Sequence, residues 1–165
     1  MRTLILVFAL LCAATATATL QTKYGVTAES DKKTDFARLK TYAWTGGSGS
    51  VDKSVDAQII AAIDRELGKV GLQKLSSGPS DVLVAYDSVQ RTDVDLKAKA
   101  TREGVLPTYP VGTLVVRLLD PTNRKQLFRA RIDTPISIER DKLEPEINAA
   151  VAAIFEKFPT KPSQR

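Results

Sequence analysis

Residues able to do chemistry are few in this chain. Its 165 residues include no His, one Cys and one Met, against 24 Lys plus Arg and 19 Asp plus Glu. The commonest general base and metal ligand is therefore absent. A single Cys forms neither an internal disulfide nor a cysteine-based zinc site. Carboxylates, hydroxyls and amines remain. Asp81, Asp87, Asp93 and Asp95 form the densest acidic stretch. Paired carboxylates serve acid–base chemistry or bind Ca²⁺. Here Lys and Arg alternate with them and no glycine-containing calcium loop follows, so they read as solvated edge residues.

Ser48, Ser50, Ser76 and Ser77 fall in loop-like sequence, where a nucleophile can sit. Without His, a serine hydrolase needs a lysine base. Lys74 precedes Ser76-Ser77, but nothing marks an oxyanion hole. Gly46-Gly47-Ser48-Gly49 is glycine-rich like a phosphate loop, yet it lacks the closing Lys-Ser/Thr. It reads as a flexible loop. No catalytic residue, cofactor or metal site is expected.

Binding residues are a different matter. Alternation along a strand puts Arg129 and Arg131 on one face and Phe128, Ala130 and Ile132 on the other. Arg117 joins the two arginines if the register allows. This is a candidate basic patch for an anionic lipid, a glycan or an acidic protein; the plainer alternative is a solvated sheet face. Tyr42 and Trp44 share a strand face two residues apart. They read as core or core margin, and if exposed they would form a binding hot spot.

Elements that position these residues follow from hydrophobic periodicity. Strands are predicted near 23–28, 40–44, 81–86, 112–119 and 126–132, the last two as an antiparallel hairpin across the Asp120–Lys125 turn. Val55, Ile59, Ile60, Ile63, Leu67 and Val70 predict a helix over 54–72, capped by Asp52 or Ser54 and ended by Gly71. Leu143, Ile147, Val151, Ile154, Phe155 and Phe158 predict a second helix from Asp141, with Asp141 and Glu144 at capping-box spacing and Pro145 in the first turn. Residues 90–103 fit either a charged edge-strand extension or a loop, and 104–110 a loop. The fold class is α+β: a mostly antiparallel sheet of about five strands, packed on one face by two amphipathic helices.

The N-terminus carries Arg2, then an apolar run over Leu4–Ala14, then small residues ending in Ala16-Thr17-Ala18. The run is shorter than the about 20 residues of a membrane span. It reads as a secretory signal peptide over 1–18, followed by a single domain over 19–159 and a disordered tail over 160–165. Cys12 lies inside the apolar run behind the large Leu11, which does not fit lipidation. Loss of residues 1–18 removes Cys12 and Met1 and lowers the net charge of +5 by one. A periplasmic or secreted location follows, with no membrane span after cleavage. Nucleic acid is not an expected partner, because export argues against it and only Tyr109 offers a stacking aromatic nearby.

Several segments in order resemble the DUF4136 family: Asp35-Phe36 with Lys40–Trp44, Ile59–Leu72 with Ser80–Tyr86, Gly112–Asp120, Leu127–Ala130, and Ala153–Pro159. The resemblance covers about residues 28–159. It implies a bacterial envelope protein, often a lipoprotein, of unestablished role, and it brings no catalytic residues. Phe128 stands where the family usually has Trp, and the lipidation signal is poor. The expected function is non-enzymatic: an exported envelope protein that binds or scaffolds a protein, lipid or cell-wall partner. The alternative is a His-independent hydrolase that uses carboxylates.

Overall fold

The computed structural model describes residues 25–137 and 139–159. The predicted signal peptide with Cys12, the start of the first predicted strand and the 160–165 tail lie outside the described residues. The elements are β1 (Thr27–Ser30), a 3₁₀ turn (Phe36–Arg38), β2 (Thr41–Trp44), α1 (Lys53–Lys69), β3 (Gln73–Lys74), β4 (Val82–Val94), β5 (Thr108–Leu119), β6 (Gln126–Pro135) and α2 (Arg140–Phe155).

The class is α+β, but the sheet departs from expectation. It has six strands, not five, in the order β1-β6-β5-β4-β2-β3. It is mixed rather than mostly antiparallel: β1–β6, β6–β5 and β5–β4 run antiparallel, whereas β2 pairs parallel with both β4 and β3. Direction follows from α1. A helix between two strands returns the chain to the starting end, so the next strand runs parallel to the first. The sixth strand, β3, has two residues, too few to show a period.

One face of the sheet holds the core. Phe128, Ala130, Val116, Leu118, Val82 and Val84 are fully buried and alternate with more exposed neighbours. They share one cluster with Ile63 and Leu67 of α1 and with Val151 and Ile154 of α2. Phe158, just past α2, meets Phe36 and Phe128 edge-on at ring distances of 5.4 and 5.3 Å. Aromatic edge contacts of this kind lock the C-terminal end of α2 onto the sheet.

Helix ends follow local chemistry. The Asp52 carboxylate accepts from Ser54 N at 2.8 Å and Val55 N at 3.4 Å, which caps α1. Gly71 follows α1 at φ 90°, a left-handed position that a side chain resists. α2 differs from its prediction. Its N-cap is Glu139, whose side chain makes no cap bond; Asp141 lies within the first turn, and Pro145 sits inside the helix. The capping box is thus not formed.

Two other segments also differ. Residues 46–50 run against β4 instead of forming a free loop: Thr45 N donates to Val84 O and Ser88 N to Ser48 O, both at 2.8 Å. Gly47 is required there, because a Cβ would stand 2.1 Å from the Tyr86 carbonyl oxygen. Residues 90–94 take the strand-extension reading of the two expected and all pair with β5, whereas residues 108–110, expected as loop, already belong to β5.

Candidate functional site

The second face of the sheet carries the predicted arginines. Register places Arg117 directly opposite Arg129, with Arg131 two residues further along β6. The three therefore share one face, as strand alternation requires. Carboxylates on the same face meet most of that charge. Arg117 Nη2 lies 2.7 Å from Asp87 Oδ2. Arg131 donates from Nε and Nη2 to the two oxygens of Asp133, each at 2.8 Å. Arg91 reaches Asp93 at 2.9 Å and Asp133 at 2.8 Å. The hydroxyl of Thr113, a nearly buried residue, donates to Asp133 at 2.6 Å.

Such bidentate, charge-assisted bonds are the strong ones. The Arg131 guanidinium, with Thr113 and Arg91 behind it, holds the Asp133 carboxyl well below the usual carboxylate range. Asp93 first, then Asp133, pushes the Arg91 guanidinium up. Arg129 is different: its guanidinium makes no hydrogen bond or ion pair among the described residues. The Nε of Arg117, across from it, is buried and meets no acceptor there. Arg129, with Glu29 of β1 as its other cross-strand neighbour, is where this face keeps a guanidinium without an ion-pair partner among the described residues.

Tyr42 and Trp44 lie on the core face instead. Tyr42 is 2 % exposed, so it offers no surface for a partner. Its hydroxyl donates to Asp64 Oδ1 at 2.6 Å, and Trp44 Nε1 donates to the same oxygen at 2.9 Å. Lys74 Nζ holds the other Asp64 oxygen at 2.8 Å. One helical face below, Tyr86 donates to Asp56, and the Trp44 and Tyr86 rings meet edge-on at 6.1 Å. Burial, with Asp64 second, pushes the Tyr42 hydroxyl up; burial, with Asp56 second, pushes that of Tyr86 up to about 12. This seam fastens α1 to β2 and β4. Sequence reasoning missed it, although Asp56 and Asp64 stand eight residues apart on one side of α1, opposite aromatic strand residues.

The acidic stretch has structural uses. Asp81 accepts from Lys40 N, Thr41 N and Thr41 Oγ1, each at 2.9 Å, and so starts β2. Asp87 also accepts from Ser48 N at 2.9 Å, and Asp95 from Lys97 N at 3.0 Å. Among the described residues no group of three or more acidic, His or Cys side chains could hold a metal ion. Lys74, the amine nearest Ser76-Ser77 in sequence, is the one paired with Asp64. No helix of the described residues is long and apolar enough to cross a membrane.

A cleft of about 690 Å³ opens at one end of the core face, between the N-terminal halves of α1 and α2 and the sheet. Ile59, Leu114, Ile132 and Ile147 are among its apolar walls, and Asp52, Arg140 and Glu146 stand among the polar lining residues. Glu146 accepts from Ser137 N at 2.9 Å.

Similar folds occur among solved structures. The PelC dodecamer from Paraburkholderia phytofirmans superposes with a TM-score of 0.56 at 12% identity, over 86% of this chain and 99% of that one. A PDZ domain protein from Parabacteroides distasonis superposes with a TM-score of 0.57 at 16% identity, over 85% of this chain but 36% of that one. At such identities the likeness is one of fold. No curated protein matches the sequence. The model of the domain of unknown function DUF4136 matches residues 26–160, most of the chain, and the protein belongs to that family.

Proposed function

We propose that this protein is an exported, non-enzymatic envelope protein that binds an anionic partner on the open face of its sheet. The carrying observation is the Arg117–Arg129 pair, where one guanidinium is unpaired and the other holds a buried, unsatisfied Nε. A guanidinium without a partner keeps its N–H donors for an incoming anion, and such charge-assisted bonds are the strong ones. Carboxylates, sulfates and phosphates of a glycan, a lipid surface or an acidic protein share this chemistry. The hydrolase alternative draws no support from the carboxylates at the cleft, since Asp52 and Glu146 both accept backbone hydrogen bonds. Crosslinking and capture from intact envelopes test the proposal. Arg129→Glu with Arg131→Glu should abolish partner capture and leave the far-UV circular dichroism unchanged. Undiminished capture by the folded double variant overturns it.

A second reading is self-association. β1 covers β6 only from Phe128 to Arg131, so the outer edge of residues 132–135 is unpaired among the described residues. Unpaired strand edges are templates for another chain. The structurally similar PelC is a dodecamer, which is consistent with scaffolding through such edges.

A further inference from the structure

The cleft is independent of the arginine face. We infer that it binds one aliphatic chain carrying an anionic head group, as in a fatty acid or a lysophospholipid. Protein interiors are close-packed, and voids larger than a water are few. A volume of about 690 Å³ is no packing defect; it falls within the about 300–1,000 Å³ of small-molecule sites.

Both helices leave apolar surface unmatched at this end. On α2, Val151 and Ile154 are fully buried, while Leu143 and Ile147 on the same stripe are only half-buried. On α1, Ile63 and Leu67 are fully buried, while Val55 is half-buried. The unmatched side chains converge on the cleft, with Leu114 and Ile132 of the sheet beneath them. Their disposition sets the ligand class. No aromatic ring lines the cleft among the described residues, so nothing there stacks on a planar ligand. Branched aliphatic walls suit a flexible methylene chain, each buried CH₂ of which adds favourable transfer free energy.

The polar residues set the head group. Asp52 keeps its charge but turns its oxygens to the first turn of α1, and Glu146 turns one to Ser137 N, so an anionic head must sit on the Arg140 side of the mouth. The guanidinium of Arg140, exposed at the start of α2, makes no hydrogen bond or ion pair among the described residues. Its field reaches the Asp52 carboxyl: the bonds from Ser54 chiefly hold that carboxyl low, and Arg140 adds a minor part. Arg140 is therefore the donor available to a carboxylate or phosphate at the mouth.

Titration calorimetry on the full chain tests this. The probes are decanoate, decyltrimethylammonium and lysophosphatidylglycerol, each kept below its micellar concentration. Decanoate should bind at one site, with decyltrimethylammonium at least about tenfold weaker, the loss expected for one charge-assisted bond. Binding of lysophosphatidylglycerol but not decanoate assigns a phosphate head, and the reverse a carboxylate. Arg140→Glu should invert the preference between anionic and cationic heads. Ile147→Trp should fill the cleft and remove binding of every probe, and Leu143→Ser, at a half-buried position, should weaken it if the Trp variant does not fold. Absence of binding by all three probes, or undiminished binding by Ile147→Trp, overturns the site. Equal affinity for the two heads overturns the role of Arg140.

Discussion

Asp133 shows how the open face of the sheet is held. It accepts from Arg131, Arg91 and Thr113, and its carboxyl lies well below the ordinary range. A carboxyl depressed in the folded state stabilises the fold fully above its unfolded value of about 3.9. That stabilisation is lost as pH falls from there through the lower folded value. Asp133→Asn should therefore be less stable than the parent at neutral pH and should flatten the acid limb of stability below pH about 4. Urea midpoints measured across that range check the slope; an unaltered slope would exclude the linkage. The alternation that groups the arginines was readable from residue types alone. The partner of Arg117 was not, because Asp87 reaches it across strands whose register no local pattern encodes; Asp133 meets Arg131 two residues along β6, on the face that alternation already assigns. Tyr42 and Trp44 teach the same lesson. Their shared face was legible, but the acceptor Asp64 stands about 20 residues away on α1.

Among the elements, α1 is the best specified. Its stripe, its Asp52 cap and its Gly71 stop all appear in the structure within a residue or two of expectation. Gly71 adopts φ 90° and closes the helix through Gly71 N to Gly68 O and Leu72 N to Leu67 O. A side chain in the left-handed region costs about 1–2 kcal/mol. Gly71→Ala should lower unfolding free energy by that amount in urea titration, with the far-UV spectrum retained. No loss would mean that the backbone relaxes there. α2 was legible as an apolar stripe but not at its start, because Glu139, Asp141 and Glu144 are interchangeable on paper and the packing of the following stripe selects the first turn. The Gly46–Ser50 segment misled for a related reason. Glycines signal freedom in a sequence, yet Gly47 is there for close approach to the Tyr86 backbone.

At the scale of the whole molecule, two layers share one core, and three features stay open: the arginine face, the cleft and the outer edge of β6. If that edge pairs with another copy, sedimentation velocity should show a concentration-dependent rise in mass. Backbone groups alternate sides along a strand, and Ile136 N faces β5 through Pro110 O, so the outward donor of this stretch is Asp133 N; Asp133→Pro removes it and should abolish the rise. A constant monomer mass at all concentrations excludes self-association. The sequence by itself determined the class, both helices, the hairpin of β5 and β6, the family and the scarcity of reactive groups, because composition and period are local properties. Strand order, the parallel pairing of β2, the neutralisation of Arg117 by Asp87 and the existence of the cleft were decided only in three dimensions. Each depends on which distant residues meet once the chain closes on its core, and pairing between distant segments leaves no trace in a local period.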